Sequence, residues 1–210
     1  KLYSVNVDGS DLKEIPLDTV KEEYIQQMVV GKDCNITLLI ESLSGKEKIL
    51  VRIDEKGQEL ARKSLGNIIK QIDNTGLIKL LVTDNEKIVL VTSLVIYLLD
   101  TDFNIISEIE VQGDIQDAAF SKAGNVICVV PVPQNDMKQT CKIKVLDLNK
   151  QEWCEEISVN VSSESDTVAV LNGRDAYDFY IKNHKGIYRF LRLQPKNDTP
   201  LMLRFERHFL

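Results

Sequence analysis

The sequence predicts an all-β fold made of repeated four-stranded antiparallel units, and three observations carry that prediction. One local pattern recurs: an alternating apolar strand, an Asp, a short polar turn, then a second strand. The Asp of each copy falls at positions 8, 54, 100 and 147, spaced by 46, 46 and 47 residues. No window holds a sustained 3.6-residue apolar period with helix caps.

The first copy reads Leu2-Tyr3-Ser4-Val5-Asn6-Val7-Asp8-Gly9-Ser10 and is followed by Leu12 to Leu17. The second reads Ile49-Leu50-Val51-Arg52-Ile53-Asp54, followed by Glu59 to Leu65. The third is Val95-Ile96-Tyr97-Leu98-Leu99-Asp100, followed by Ile105 to Val111, and the fourth is Ile143-Lys144-Val145-Leu146-Asp147, followed by Trp153 to Val159. One further period lands on Leu193, at the end of a similar run from Ile187 that lacks the Asp.

Two more strand-like segments precede each of these hairpins from the second onward. They are Ile25–Val30 with Ile36–Ile40, Ile78–Thr83 with Ile88–Val91, Ala118–Ser121 with Val126–Val132, and Val168–Leu171 with Asp178–Ile181. Gly31, Asp84-Asn85, Gly124-Asn125 and Asn172-Gly173 mark the turns within the pairs. Ile88 to Leu99 is the longest apolar run; its twelve residues fall short of the roughly 20 that span a bilayer as a helix. Its Val and Ile content fits two buried strands, so no membrane span is expected. A single helical turn near Asp18–Gln26 is the one helical expectation.

Four short strands every 40 to 50 residues are the sequence signature of a β-propeller with about 46 residues per blade. A lone four-stranded sheet cannot bury both faces, and stacked neighbours can. The units expected are 1–17 (two strands only), 24–65, 77–111, 117–159 and 167–206, about four and a half blades in a single propeller. The first and second strands of the opening unit would come from outside this chain or from a strand that closes the ring. A jelly roll or sandwich is the competing all-β reading, and it would lack this period.

With runs such as Leu2-Tyr3-Ser4-Val5-Asn6-Val7-Asp8-Gly9-Ser10-Asp11-Leu12-Lys13-Glu14-Ile15, the whole chain resembles bacterial β-propeller repeat proteins of the TolB-like and WD-like kind. No Trp-Asp pair ends a third strand and no Gly-His pair opens a unit, so the TolB-like form is the better match. The resemblance implies an extracytoplasmic or cell-surface module, often part of a surface or solute-binding lipoprotein, that presents loops to a protein or carbohydrate ligand. A cytoplasmic scaffold is the alternative location and role.

Composition bounds the function. Apolar residues make up 43% and charged residues 28%, which excludes a disordered or collagen-like chain. The formal charge of −6 argues against nucleic acid as a partner. The charge is uneven: residues 182–210 carry seven Lys and Arg against two acids, net +5, and the other 181 residues carry −11. A basic end on an acidic body suits an acidic partner or neighbouring domain, or an edge guarded from aggregation. The chain opens in mid-alternation and not with Met or a leader, so it reads as an excised portion, silent about compartment.

Cys34, Cys128, Cys141 and Cys154 show no C-x-x-C spacing for zinc or redox chemistry and are expected as buried free thiols. The turns from Asp8 and Asp100 fail as calcium loops, because an EF-hand needs Gly at position six and Glu at twelve; capping of their own backbone is the expected role. No G-x-S-x-G elbow, oriented His or phosphate-cradling Gly loop is present. No catalytic residue, metal or cofactor is therefore nominated. The binding candidates are Asn135 and Asp136 in the long loop 133–140, His184 in the turn 183–186, and Lys79 and Asp117 at the openings of first strands. The expected function is a non-enzymatic binding or scaffold module. The alternative is an extracytoplasmic hydrolase or lyase, whose ionisable groups would converge at those openings, where only Lys79 and Asp117 stand out.

Overall fold

The computed structural model describes residues 2–17, 23–42, 47–69, 77–121, 123–132, 140–160, 167–170, 178–182, 188–192 and 205–207. The protein is all-β. A hairpin of β1 (Leu2–Ser4) and β2 (Lys13–Ile15) comes first. Four sheets of four strands follow. One holds β3 (Glu23–Val30), β4 (Ile36–Ser42), β5 (Lys48–Ile53) and β6 (Glu59–Ser64), and the next β7 (Leu77–Val82), β8 (Ile88–Thr92), β9 (Val95–Leu99) and β10 (Ile105–Glu110). The others hold β11 (Asp117–Phe120), β12 (Val126–Val132), β13 (Thr140–Asp147) and β14 (Glu152–Asn160), then β15 (Thr167–Val170), β16 (Asp178–Lys182), β17 (Tyr188–Arg192) and β18 (Phe205–Arg207). Strands follow chain order in every sheet and pair antiparallel, with Leu38 opposite Val51 and Val129 opposite Ile143.

The repeating Asp explains itself in the hairpins. Oδ1 of Asp8, Asp54, Asp100 and Asp147 accepts the N–H of Ser10 (2.9 Å), Lys56 (2.8 Å), Asp102 (2.9 Å) and Asn149 (2.9 Å). Asp54 and Asp100 also take the N–H four residues on, from Gln58 and Asn104, each at 2.8 Å. Each carboxylate satisfies donors of its own turn, the capping role expected of it. The turns that start at Asn6, Gly31, Asp54, Thr83, Asp100 and Ser121 share one form: the N–H of that residue donates to the carbonyl four on, and the N–H three on donates back, as in Asp54 with Gln58 and Gly57. This puts the residue three on in the left-handed region, where Gly57 (φ 83°), Gly124 (81°), Cys34 (63°), Glu86 (60°) and Phe103 (61°) all lie.

Burial grades across each sheet. Second strands are apolar on both faces because both are covered: Leu38, Leu39, Ile40, Ile88–Val91 and Val126–Val129 are all fully buried. Fourth strands alternate, as in β10, where exposed Ile106, Glu108 and Glu110 neighbours interleave with partly buried ones, and their charges blunt the sheet edge. The run 88–99 is two strands joined at Ser93-Leu94. Thr92 Oγ1 clamps that turn, accepting the Val95 N–H at 3.0 Å and donating to the Val95 carbonyl at 2.8 Å.

Two expectations are corrected. Residues 23–26 of the segment expected as a helical turn are strand, since β3 pairs Glu23 with Ser42 and Ile25 with Ile40; a short 3-10 turn lies instead at Leu65–Asn67. Of the four cysteines expected to be buried, Cys128 and Cys141 are, while Cys34 and Cys154 are exposed free thiols. Cys34 sits in the β3–β4 turn, where local geometry and not packing decides its exposure.

The chain separates into two compact units. One comprises Lys1–Thr75, Leu80–Leu90 and Tyr97–Glu108, and the other Gly76–Lys79, Val91–Ile96 and Ile109–Leu210. In the first, Ile36, Leu38, Ile40, Ile49, Val51 and Ile53 form a core on which Ile15 of the hairpin packs. In the second, Ile127, Val129, Ile143 and Val145 pack with Val168, Val170 and Ile181 of the following sheet.

Candidate functional site

The second unit holds the two nominated residues that the structure describes, and it brings them together. Lys79 stands on β7 and Asp117 opens β11. Lys79 Nζ lies 3.1 Å from Asp117 Oδ1, with the two side chains 38% and 17% exposed. The other oxygen, Oδ2, accepts the Val170 N–H of β15 at 3.1 Å. The carboxylate thus links three first strands. Its position is held from behind by the adjacent backbone, where the Gln116 N–H donates to the Val129 carbonyl at 2.7 Å and Asp117 pairs with Val129.

The same device recurs in the first unit, where no sequence motif marks it. Gln27 Oε1 on β3 accepts the Leu80 N–H of β7 at 2.8 Å. Gln27 to Leu80 and Asp117 to Val170 both span 53 residues. A spacing search restricted to hydrophobic and Asp positions passes over a Gln and a strand N–H; a search for polar residues at equivalent first-strand positions would have found the pair.

Among the described residues, the Lys79–Asp117 pair retains capacity. An ammonium has three donors and a carboxylate about four acceptor positions, and the contacts above use one donor and two acceptor positions. The ammonium can hold an anionic oxygen and the carboxylate can accept a proton from a bound water. The nearby Cys128 is not a nucleophile for this site: burial, reinforced by the Asp117 charge and partly offset by Lys144, pushes its thiol up to about 12. Lys144 is engaged on the β13 surface, 5.9 Å over the Trp153 ring and 3.3 Å from the Gln112 carbonyl.

Asn135, Asp136 and His184 lie outside the described residues, as does most of the basic stretch 182–210. Among the described residues no three His, Cys, Asp or Glu side chains gather as a metal ion would require, and no helix is long and apolar enough to cross a membrane. A polar cluster that the sequence reading missed joins the β3–β4 turn to its own sheet: Asp33 takes the Arg52 guanidinium at 2.7 Å and the Asn35 N–H at 2.9 Å.

No family model matches the chain, and no curated protein matches it. Solved structures do. A candidate 6-phosphogluconolactonase from Bacteroides uniformis matches with a TM-score of 0.56 at 9% identity, over 97% of this chain and 64% of its own. One from Bacteroides fragilis matches with a TM-score of 0.55 at 9% identity and the same coverage. The WD40 domain of Pan2 from Neurospora crassa matches with a TM-score of 0.50 at 13% identity, over 87% of this chain and 49% of its own. The chain therefore spans about half to two thirds of the length of these structures. At such identities the likeness concerns the fold alone: the protein is an all-β chain distantly similar to the propeller-like folds of WD40 domains and 6-phosphogluconolactonases.

Proposed function

We propose that the four-stranded sheets are blades of a β-propeller and that the protein is a hydrolase of a small, anionic, sugar-derived substrate, with Lys79 and Asp117 as its working pair. The observation that carries this reading is the 3.1 Å contact between an ammonium and a carboxylate at the openings of two first strands, partly open to solvent. Two structures similar to the chain in fold are candidate 6-phosphogluconolactonases, which suggests the substrate class to test first. In this scheme Lys79 holds the anionic group of a sugar lactone. Asp117 accepts a proton from the attacking water, a new carbon–oxygen bond forms at the carbonyl, the ring ester bond breaks, and the ring oxygen takes up the proton as a hydroxyl.

A binding or scaffold module is the second reading, favoured by the likeness to the Pan2 WD40 domain and by the contacts Asp117 already makes at both oxygens. The two part on one assay. A phosphorylated gluconolactone is incubated with the protein and acid release is followed against the buffer rate. Acceleration that saturates with substrate supports the hydrolase; a rate equal to buffer refutes it and leaves binding through the loops to a protein or carbohydrate.

A further inference from the structure

Lys79 and Asp117 occupy one repeated position. Counting four residues back from the turns that start at Gly31, Thr83 and Ser121 gives Gln27, Lys79 and Asp117, one each on β3, β7 and β11. The register agrees: Gln27 pairs with Leu39 and Asp117 with Val129, each eight residues after the start of its turn. The loop after β15 lies outside the described residues, so hydrogen bonds identify the fourth member. Gln27 accepts the N–H of Leu80, the residue after Lys79, and Asp117 accepts the N–H of Val170. By the same step the counterpart of Lys79 on β15 is the residue before Val170, which is Ala169.

Three of the four positions thus carry a polar side chain, and the fourth carries a methyl group. Asp117 Oδ2 lies 3.1 Å from the Val170 nitrogen, which is bonded to the carbonyl carbon of Ala169. Ala169 is therefore the residue beside the carboxylate on the β15 side, as Lys79 is on the β7 side. Val168 and Val170, 1% and 4% exposed, pack into the core shared with the β11–β14 sheet. Strand alternation turns the Ala169 side chain to the other face of β15, where the residue is half-buried. Lys79, Asp117 and Ala169 all belong to the second unit.

We infer, resting on the hydrolase reading above, that Ala169 is the specificity-determining residue of this site: its small side chain admits the ring of the sugar lactone to Asp117 along β15, with the anionic group of the substrate on Lys79. A longer side chain, such as the glutamine that β3 carries at the equivalent position, extends from the β15 edge and takes up that approach. Alanine keeps it open, so a bulky polyhydroxylated ring reaches the carboxylate that accepts the proton of the attacking water. The Val170 N–H is already given to Asp117, so this edge selects the ring by shape. Added bulk at 169 therefore weakens binding of the substrate without touching the group that takes the proton.

The test compares the unaltered protein with Ala169→Val and Ala169→Gln, each checked for folding by thermal melting. Steady-state hydrolysis of a phosphorylated gluconolactone gives KM and kcat, and calorimetry gives Kd for the hydrolysis product, the phosphorylated gluconate. A graded loss is expected: KM and Kd rise about tenfold or more in Ala169→Gln and about threefold in Ala169→Val, while kcat changes by less than about twofold. Valine suits a strand, so Ala169→Val decides if the glutamine variant does not fold. Unchanged KM and Kd in the folded variants overturn the proposal and leave the hydrolase reading standing, as does a fall in kcat with KM unchanged. A protein that binds the product but does not hydrolyse the lactone overturns the hydrolase reading alone, and the Kd series then decides the role of Ala169. Neither hydrolysis nor binding in the unaltered protein overturns both.

Discussion

Replacing Asp117 separates the two contacts that its carboxylate makes. Asp117→Ala removes the acceptor of the Val170 N–H and the partner of Lys79. A backbone donor left unpaired in a part-buried setting costs about 1–3 kcal/mol. The ion pair adds little, because Lys79 is 38% exposed and such pairs contribute about 0.2–1 kcal/mol before screening. The alanine variant should thus lose about 2 kcal/mol. Asp117→Asn keeps a carbonyl oxygen for Val170 and loses only the charge, as does Lys79→Met, so each should lose about 0.5 kcal/mol. Urea unfolding of the three variants, and of the Lys79→Met/Asp117→Asn double variant, gives the coupling directly. An asparagine variant as damaged as the alanine one would refute the reasoning, since the charge and not the hydrogen bond to β15 would then dominate.

Other outcomes follow from the turns and thiols. Gly57→Ala puts a side chain at φ 83° and drives its Cβ into the Pro16 carbonyl, whereas Gly9→Ala meets open space at φ 84°. Both incur the left-handed cost of about 1–2 kcal/mol, so Gly57→Ala should be less stable in denaturant melts by a further ~1 kcal/mol or more; equal losses would contradict the packing of the hairpin. Burial would raise the Asp100 carboxyl, but hydrogen bonds from Asn104 and Asp102 outweigh it, and the Lys150 and Asn149 N–H groups likewise hold Asp147 below the ordinary value. The folded chain then binds fewer protons than the unfolded one near pH 4, so the stability these turns supply is present above the ordinary carboxylate range and is lost as pH falls through the depressed values. Carboxyl NMR titration should place both midpoints below about 3.9. At pH 8 a thiol reagent should modify Cys34 and Cys154 in the native protein, and Cys128 and Cys141 only on unfolding; rapid native labelling of Cys128 would contradict its burial.

The sheet pattern was legible because its signals are local. Each repeating Asp caps its own turn, and each second strand is apolar on both faces, so period and strand type could be read directly. The left-handed positions were legible where Gly stands, at 57 and 124, and hidden where Cys34, Glu86 and Phe103 hold the same φ against their own preference. The alternation of β3 is legible from Ile25 to Val30, whereas its opening, Glu23-Tyr24, reads equally as a helical turn, because a polar edge and a register shift between Ile25 and Gln27 break clean alternation there. Lys79 and Asp117 were chosen for their place at strand openings. Their contact, and the link to Val170, depend on how sheets far apart in sequence pack, which no local pattern encodes.

The most direct test of the account is the steady-state hydrolysis of a phosphorylated gluconolactone by the unaltered protein, Asp117→Asn and Lys79→Met, each checked for folding by circular dichroism. The account predicts that Asp117→Asn lowers kcat by at least tenfold with little change in KM, and that Lys79→Met chiefly raises KM. Full activity in both variants, or none in the unaltered protein, would contradict it.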